Sequence, residues 1–212
     1  VNARPDTTYA RIQSGDFIVK LDASGPYDRL LDKLTALADT IGHQLDNRII
    51  DQARIKEMLP TMRLYVSSGQ DNTLAHILKA SRNISFRELL IDLTASPERG
   101  VNGESHLYGL NADSTLIDTI RVTLHDSSHG LTYQAQVKNN RRNPQFVFNA
   151  LLDGHLYEHG AKAGLRFFDR NGDMGLRIGS NAAMERDGIR FTLMPSRPTI
   201  GYEEFALNDD NF

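Results

Sequence analysis

The sequence predicts a mainly β chain, an antiparallel meander with a helical insertion, and three observations predict it. First, apolar residues recur at every second position toward the C-terminus. Leu131, Tyr133, Ala135 and Val137 alternate with Thr132, Gln134, Gln136 and Lys138. The same period returns in Ala161, Ala163, Leu165 and Phe167, in Leu176, Ile178, Ser180 and Ala182, and in Ile189, Phe191 and Leu193. Strand side chains point alternately to opposite faces, so the pattern builds a sheet with one apolar and one wet face. Second, the connections are short and carry hairpin chemistry. Asn171-Gly172 is the strongest signal, since both residues tolerate positive φ, and Asp187-Gly188 is another. Third, spacings of three and four are confined to residues 26 to 82.

The elements follow in order. Residues 9 to 22 read as one strand or a kinked pair, with Phe17, Val19 and Leu21 on one face. Gly25-Pro26 breaks the strand and opens a helix. Leu30, Leu34, Leu37, Ala38, Ile41 and Leu45 then mark an amphipathic helix over roughly 28 to 45, which Gly42 ends early or kinks. A second helix is expected over 49 to 59, with Ile55 and Leu59 inward and Pro60 as its stop. Met62, Leu64 and Val66 alternate with Arg63 and Tyr65 in a short strand, and Asn72 caps a third helix carrying Leu74, Ile77 and Leu78.

From Ile84 onward the chain reads as strands: 86 to 93, 101 to 110, 118 to 125, 130 to 138, 146 to 152, 155 to 168, 174 to 185 and 188 to 194. Sequential hairpins give an antiparallel meander, and two chemically different faces mean a sheet not buried on both sides. Strands begin at Gly130, Gly160 and Gly188 without any repeat of residue identities. The chain starts at Val1 and ends on Asp209, Asp210, Asn211 and Phe212, which read as entry into a further strand. Residues 1 to 212 are therefore expected to be one fragment of a longer protein: strand 9 to 22, a mostly helical insertion over 26 to 82, and an antiparallel β region over 84 to 206.

Composition excludes several classes. Net charge is -3, which leaves no footprint for nucleic acid. No cysteine is present, so disulfides and thiolate metal sites are ruled out. No stretch approaches the ~18 apolar residues of a membrane-crossing helix. His155 and His159, spaced for one face of a strand, find no further metal ligands in the pattern. Asp169-Arg-Asn-Gly-Asp173 begins like a calcium loop but has Met174 and Ser180 where glycine and a bidentate glutamate are needed. His125, Asp126 and Ser127 hold triad residue types without triad spacing, and there is no phosphate loop or nucleophile elbow. No cofactor is implied, and an enzyme reading has little to stand on.

The apolar face is the best functional candidate. Ile120, Val122, Leu124, Leu131, Tyr133, Val137, Phe146, Phe148, Leu152, Leu165, Phe167, Leu176, Ile178, Ile189, Phe191 and Leu193 would line it. By pattern alone the reading of the same residues as the ordinary core of a β-sandwich has the advantage.

The phrases Gly130-Leu-Thr-Tyr-Gln-Ala-Gln-Val137, Asn143-Pro-Gln-Phe-Val-Phe-Asn-Ala150, Gly154-His-Leu-Tyr-Glu158 and Arg197-Pro-Thr-Ile-Gly-Tyr-Glu-Glu-Phe205 together resemble the TamB family, part of the AsmA-like group, in the form seen in Bacteroidota. Ser14-Gly-Asp-Phe17, leading into a strand and long helix, fits the same family. The resemblance implies an elongated open trough (β-taco-like) with an apolar interior. It implies a periplasmic location, with the parent anchored by an N-terminal inner-membrane helix outside this fragment. It implies phospholipid acyl chains as cargo moving between the inner and outer membranes, and an Omp85-type outer-membrane barrel as a partner of other parts of the parent. The alternative is a scaffold or chaperone for outer-membrane protein assembly that pairs strand edges with its clients. The helices of 26 to 82 depart from a plain trough, and plug, lid and docking site remain open for them.

Overall fold

The computed structural model describes residues 2–4, 6–186 and 188–206. The N-terminal part holds β1 (Asn2–Arg4), β2 (Thr7–Ser14), β3 (Phe17–Ser24), α1 (Tyr27–Asp46), α2 (Gln52–Met58), β4 (Met62–Ser68) and α3 (Thr73–Arg82). Then follow β5 (Ile84–Ser85), β6 (Glu88–Ser96), β7 (Gly100–Ala112), β8 (Thr115–Ser127), β9 (Gly130–Asn139) and β10 (Phe148–Tyr157). The chain closes with β11 (Gly160–Phe168), β12 (Met174–Glu185), β13 (Gly188–Ile200) and β14 (Glu203–Glu204).

All strands belong to one sheet. The order β1-β2-β3-β4-β6-β7-β8-β9-β10-β11-β12-β13-β14 is an antiparallel meander, with β5 pairing the far end of β7 and with β1 and β14 as unjoined edges. The fold is thus a mainly β meander, not closed into a barrel, in the shape of a curled trough. Open sheets beyond ~10 strands rarely stay flat, which accounts for the curl.

Register decides which side chains share a face, because directly opposed residues project the same way. One row runs Ile12, Val19, Val66, Ile91, Ser105, Val122, Ala135, Leu152, Leu165 and Ile178, each paired to the next from β2 to β12. Only Ser105 is polar. The neighbouring row on the other face runs Arg11, Lys20, Tyr65, Asp92, Glu104, Thr123, Gln134 and Asp153. That face is held by ion pairs such as Arg63–Asp92 at 2.8 Å and Arg166–Asp153 at 2.7 Å.

The helical stretch is two excursions rather than one, separated by β4, and they leave from opposite ends of the strands. α1 and α2 connect β3 to β4 beside the β6–β7, β8–β9, β10–β11 and β12–β13 turns. α3 connects β4 to β5 at the opposite row of turns. Its N-cap is Asn72, whose Oδ1 accepts from the Ala75 N–H at 2.8 Å. The β2–β3 turn fastens to the same cap: Asn72 Nδ2 donates to Asp16 Oδ1 at 2.6 Å, and Gly15 in that turn has φ +59, its missing Cβ leaving room for the Asp71 carbonyl.

Several boundaries differ from the pattern-based expectation. Residues 9 to 22 form a hairpin, because Gly15-Asp16 makes a tight turn. The expected strand 155 to 168 is two strands, with the turn at Glu158-His159. α1 runs through Gly42, which lies in open space where glycine's ~1 kcal/mol helix penalty is tolerated. Asn171-Gly172 turns as expected, with Gly172 at φ +89. The predicted Asp187-Gly188 turn and the final segment Asp209 to Phe212 include positions outside the described residues.

Candidate functional site: a partly lidded apolar face

All sixteen candidate lining residues fall on one side of the sheet. Ile120, Val122 and Leu124 oppose Val137, Ala135 and Tyr133. Leu131 opposes Leu156, and Leu152 opposes Leu165. Phe167 meets Leu176 and Leu165 meets Ile178, while Ile189, Phe191 and Leu193 oppose Met184, Ala182 and Ser180. Phe148 shares the parity of Leu152 on β10. Phe146 precedes that strand, yet its ring lies 5.7 Å from Phe148 and 6.3 Å from Phe167, so the β9–β10 loop folds it onto the same face. The Phe148 and Phe167 rings are 5.8 Å apart and near-parallel.

None of the sixteen is buried. Phe191 is 66% exposed, Phe146 56% and Leu193 54%, so this face lacks the covering layer that a sandwich core requires. Among the described residues no second sheet exists, and the sandwich reading is thereby corrected.

α1 and α2 cover the face at one row of turns, and at the other row the start of α3 meets the inward ends of β2 and β4, with Thr73 Oγ1 3.0 Å from Ser14 Oγ and Asn72 Nδ2 donating to Ser68 Oγ at 3.0 Å. α1 starts from β3, and Ile50 beyond its end places its N–H 2.9 Å from Met184 Sδ on β12. Eight strand spacings of ~4.8 Å separate β3 from β12, against ~30 Å for a 20-residue helix, so α1 runs crosswise to the strands. α2 returns beneath it. The Gln52 N–H donates to the Glu158 carbonyl at 3.3 Å, and the Lys56 ammonium binds Asp126 Oδ1 at 2.9 Å and the Ser127 carbonyl at 3.1 Å. Asp126 sits at an inward position of β8, with its side chain 3% exposed. Without Lys56 it would be a buried uncompensated charge. Gly130, at φ +116, lets the β8–β9 turn pass close under the Leu156 carbonyl and Gln52.

Between the helices and the sheet lies a cavity of about 390 Å³, bounded by Ile41, Leu45, Ile55, Leu131, Leu156 and Ala161 among others. At the opposite row of turns the β9–β10 loop is pinned by Asp118, which accepts from the Asn140 N–H at 2.6 Å and Asn143 Nδ2 at 3.1 Å. Arg141 and Arg142, between those anchors, are exposed and make no ion pair among the described residues.

The other sequence motifs resolve differently. His155 is on β10 and His159 in the following turn, so they do not share a strand face; among the described residues no cluster of three His, Asp or Glu is arranged to hold a metal. Asp126 is committed to Lys56, which dissolves the His125-Asp126-Ser127 grouping. At Asp169 burial pushes the carboxyl up, but the Asn171 and Asp173 N–H groups and the Tyr202 hydroxyl outweigh it and hold it below its ordinary value. The residues that sequence reading missed are Gln52, Lys56 and Asp126. The available signal was Asp126 itself, a carboxylate continuing the period of Ile120, Val122 and Leu124.

No protein-family model, curated protein or solved structure matches the chain. No helix among the described residues is long and apolar enough to cross a membrane.

Proposed function

We propose that this chain is a periplasmic segment of a TamB-like protein and that its apolar face is a hydrophobic groove for phospholipid transport between the inner and outer membranes. One observation carries the reading. The face is continuous from β2 to β13, yet beyond the part beneath α1 and α2 it leaves Phe146, Phe191 and Leu193 more than half exposed. Apolar area left open to water is stabilised by whatever hydrocarbon settles on it, at ~0.8 kcal/mol per methylene buried. A lipid leaving a bilayer pays that amount for every methylene it exposes, and a greasy surface lowers the barrier without any chemical step. The polar face, with its surface ion pairs, keeps the outside wet. An Omp85-type barrel partner belongs, on this reading, to other parts of the parent chain.

Uptake of a phospholipid carrying an environment-sensitive acyl fluorophore, offered in vesicles, tests the reading. The chain should raise the emission, and Phe148→Asp and Leu165→Asp should each reduce the rise at least tenfold while keeping a cooperative melt. Equal emission from wild type and both folded variants would overturn the groove.

A second reading, a scaffold that pairs with client strands, is favoured by one feature. β14 covers only Thr199 and Ile200 of β13, leaving the outer edge of β13 without a strand partner among the described residues. Unpaired edges template strand addition. Proline at Thr192 should abolish client pairing if this reading holds and leave lipid uptake unchanged if the groove reading holds.

A further inference from the structure

We infer that a bound lipid lies along the strands, with its acyl ends under α2 and an anionic headgroup beside Arg141 and Arg142. This rests on the groove reading and adds the lipid's orientation and charge class.

The lidded end is chemically neutral toward a ligand. Every polar group bordering the cavity has an internal partner: Gln44 exchanges hydrogen bonds with the Asp51 backbone at 3.1 Å, and Lys56 is neutralised by Asp126 at 2.9 Å. The Gln52 amide pairs with the Leu156 carbonyl and the Leu131 N–H. No donor or charge is left to hold a headgroup, and α2 is bonded to the turns at Ser127 and Glu158, which closes that row. What remains is an apolar cavity of about 390 Å³, suited to hydrocarbon.

The opposite end has the complementary character. Arg141 and Arg142 are exposed, make no ion pair among the described residues, and sit on a loop whose backbone is anchored on either side through Asn140 and Asn143 to Asp118. Guanidinium recognises phosphate oxygens in pairs. On the same loop Phe146 stacks with Phe148 and Phe167 into an apolar floor. Dimensions agree. Leu131 and Asn139 are eight residues apart on β9, roughly 26 Å. One leaflet of acyl chain is about 15 Å, half the bilayer's hydrocarbon thickness. The strand therefore accommodates a full chain and leaves length for the glycerol and phosphate.

The experiment is photocrosslinking of the full chain with phosphatidylglycerol bearing a diazirine at the acyl terminus, followed by peptide mapping. Crosslinks are expected at Ile49 to Leu59 and at Leu131, Leu156 and Ala161. Crosslinks concentrated at Phe146, Phe148 and Phe167 would overturn the orientation and leave the groove reading standing, whereas no crosslink anywhere would count against the groove itself. In parallel, R141A/R142A should weaken binding of phosphatidylglycerol vesicles roughly 30-fold and hardly change binding of phosphatidylcholine vesicles. An equal loss for both lipids, or no loss for either, would refute the headgroup assignment.

Discussion

The two ends of the apolar face are built from the same strands and behave oppositely. At the α2 end the face is covered, and the cover is fastened by polar groups: Lys56 to Asp126, Gln52 to Glu158, Ile50 to Met184. At the Phe146 end the face is open enough to leave Phe146 56% exposed, and three aromatic rings hold one another. Apolar burial alone is non-directional and would let a helix slide over the strands. A charged pair at an inward position fixes one placement, at the cost of desolvating both partners. The stacked rings need no cover, since each aromatic pair adds about 0.5–1.5 kcal/mol without further burial.

Breaking the polar fastening should have the largest effect. Lys56→Met leaves Asp126 buried and unpaired, and a loss of about 3–5 kcal/mol is expected in denaturant unfolding. The double variant K56M/D126L should regain most of it. A K56M loss below ~1 kcal/mol would mean that the clasp carries little.

A carboxylate placed at each end sharpens the contrast. Leu131→Asp, beside the apolar cavity under α1 and α2, should destabilise by about 3 kcal/mol, because the charge loses much of its hydration and finds no partner there. Leu165→Asp, on the uncovered part of β11, should cost about 1 kcal/mol, since it hydrates. Equal costs would erase the distinction between covered and open regions.

Gly100→Ala probes the clasp from the sheet side. Gly100 has φ +67, and its Cβ would occupy the place of the Asp126 carboxylate. A loss of about 2 kcal/mol in thermal melts is expected, from left-handed strain plus displacement of Asp126. Gly172→Ala has the strain without the collision and should cost less.

The smallest effect concerns acid. The Asn72 amide and the Asp71 N–H hold the Asp16 carboxyl below its ordinary value of 3.8, and the Arg63 hydrogen bond does the same for Asp92. A lowered carboxylate pKa contributes stability that is present above the unfolded value and lost as pH falls through the folded one. Stability should therefore fall below about pH 4, and Asp16→Asn should flatten that slope in acid titrations followed by circular dichroism.

The meander was legible in the sequence because a one-sided sheet writes its register into a period of two. Leu131 to Val137 and Leu165 to Phe167 read directly as strands, and all sixteen lining residues fell on one face. Turns without a strong dipeptide were not legible. Glu158-His159 carries no hairpin chemistry, so 155 to 168 read as one strand and the end of β10 was joined to β11. Gly15-Asp16 turns because Asp71 and Asn72, more than fifty residues away, hold Asp16. The lid was invisible for the same reason: Lys56 meets Asp126 across 70 residues, and no local period encodes that pairing.

The most direct test of the open face is native mass spectrometry of the chain purified from cells without detergent, followed by lipid extraction. The account predicts adducts of phospholipid mass on the wild type, absent from a folded Leu165→Asp variant. A clean unliganded mass, unchanged by added phospholipid, would contradict it.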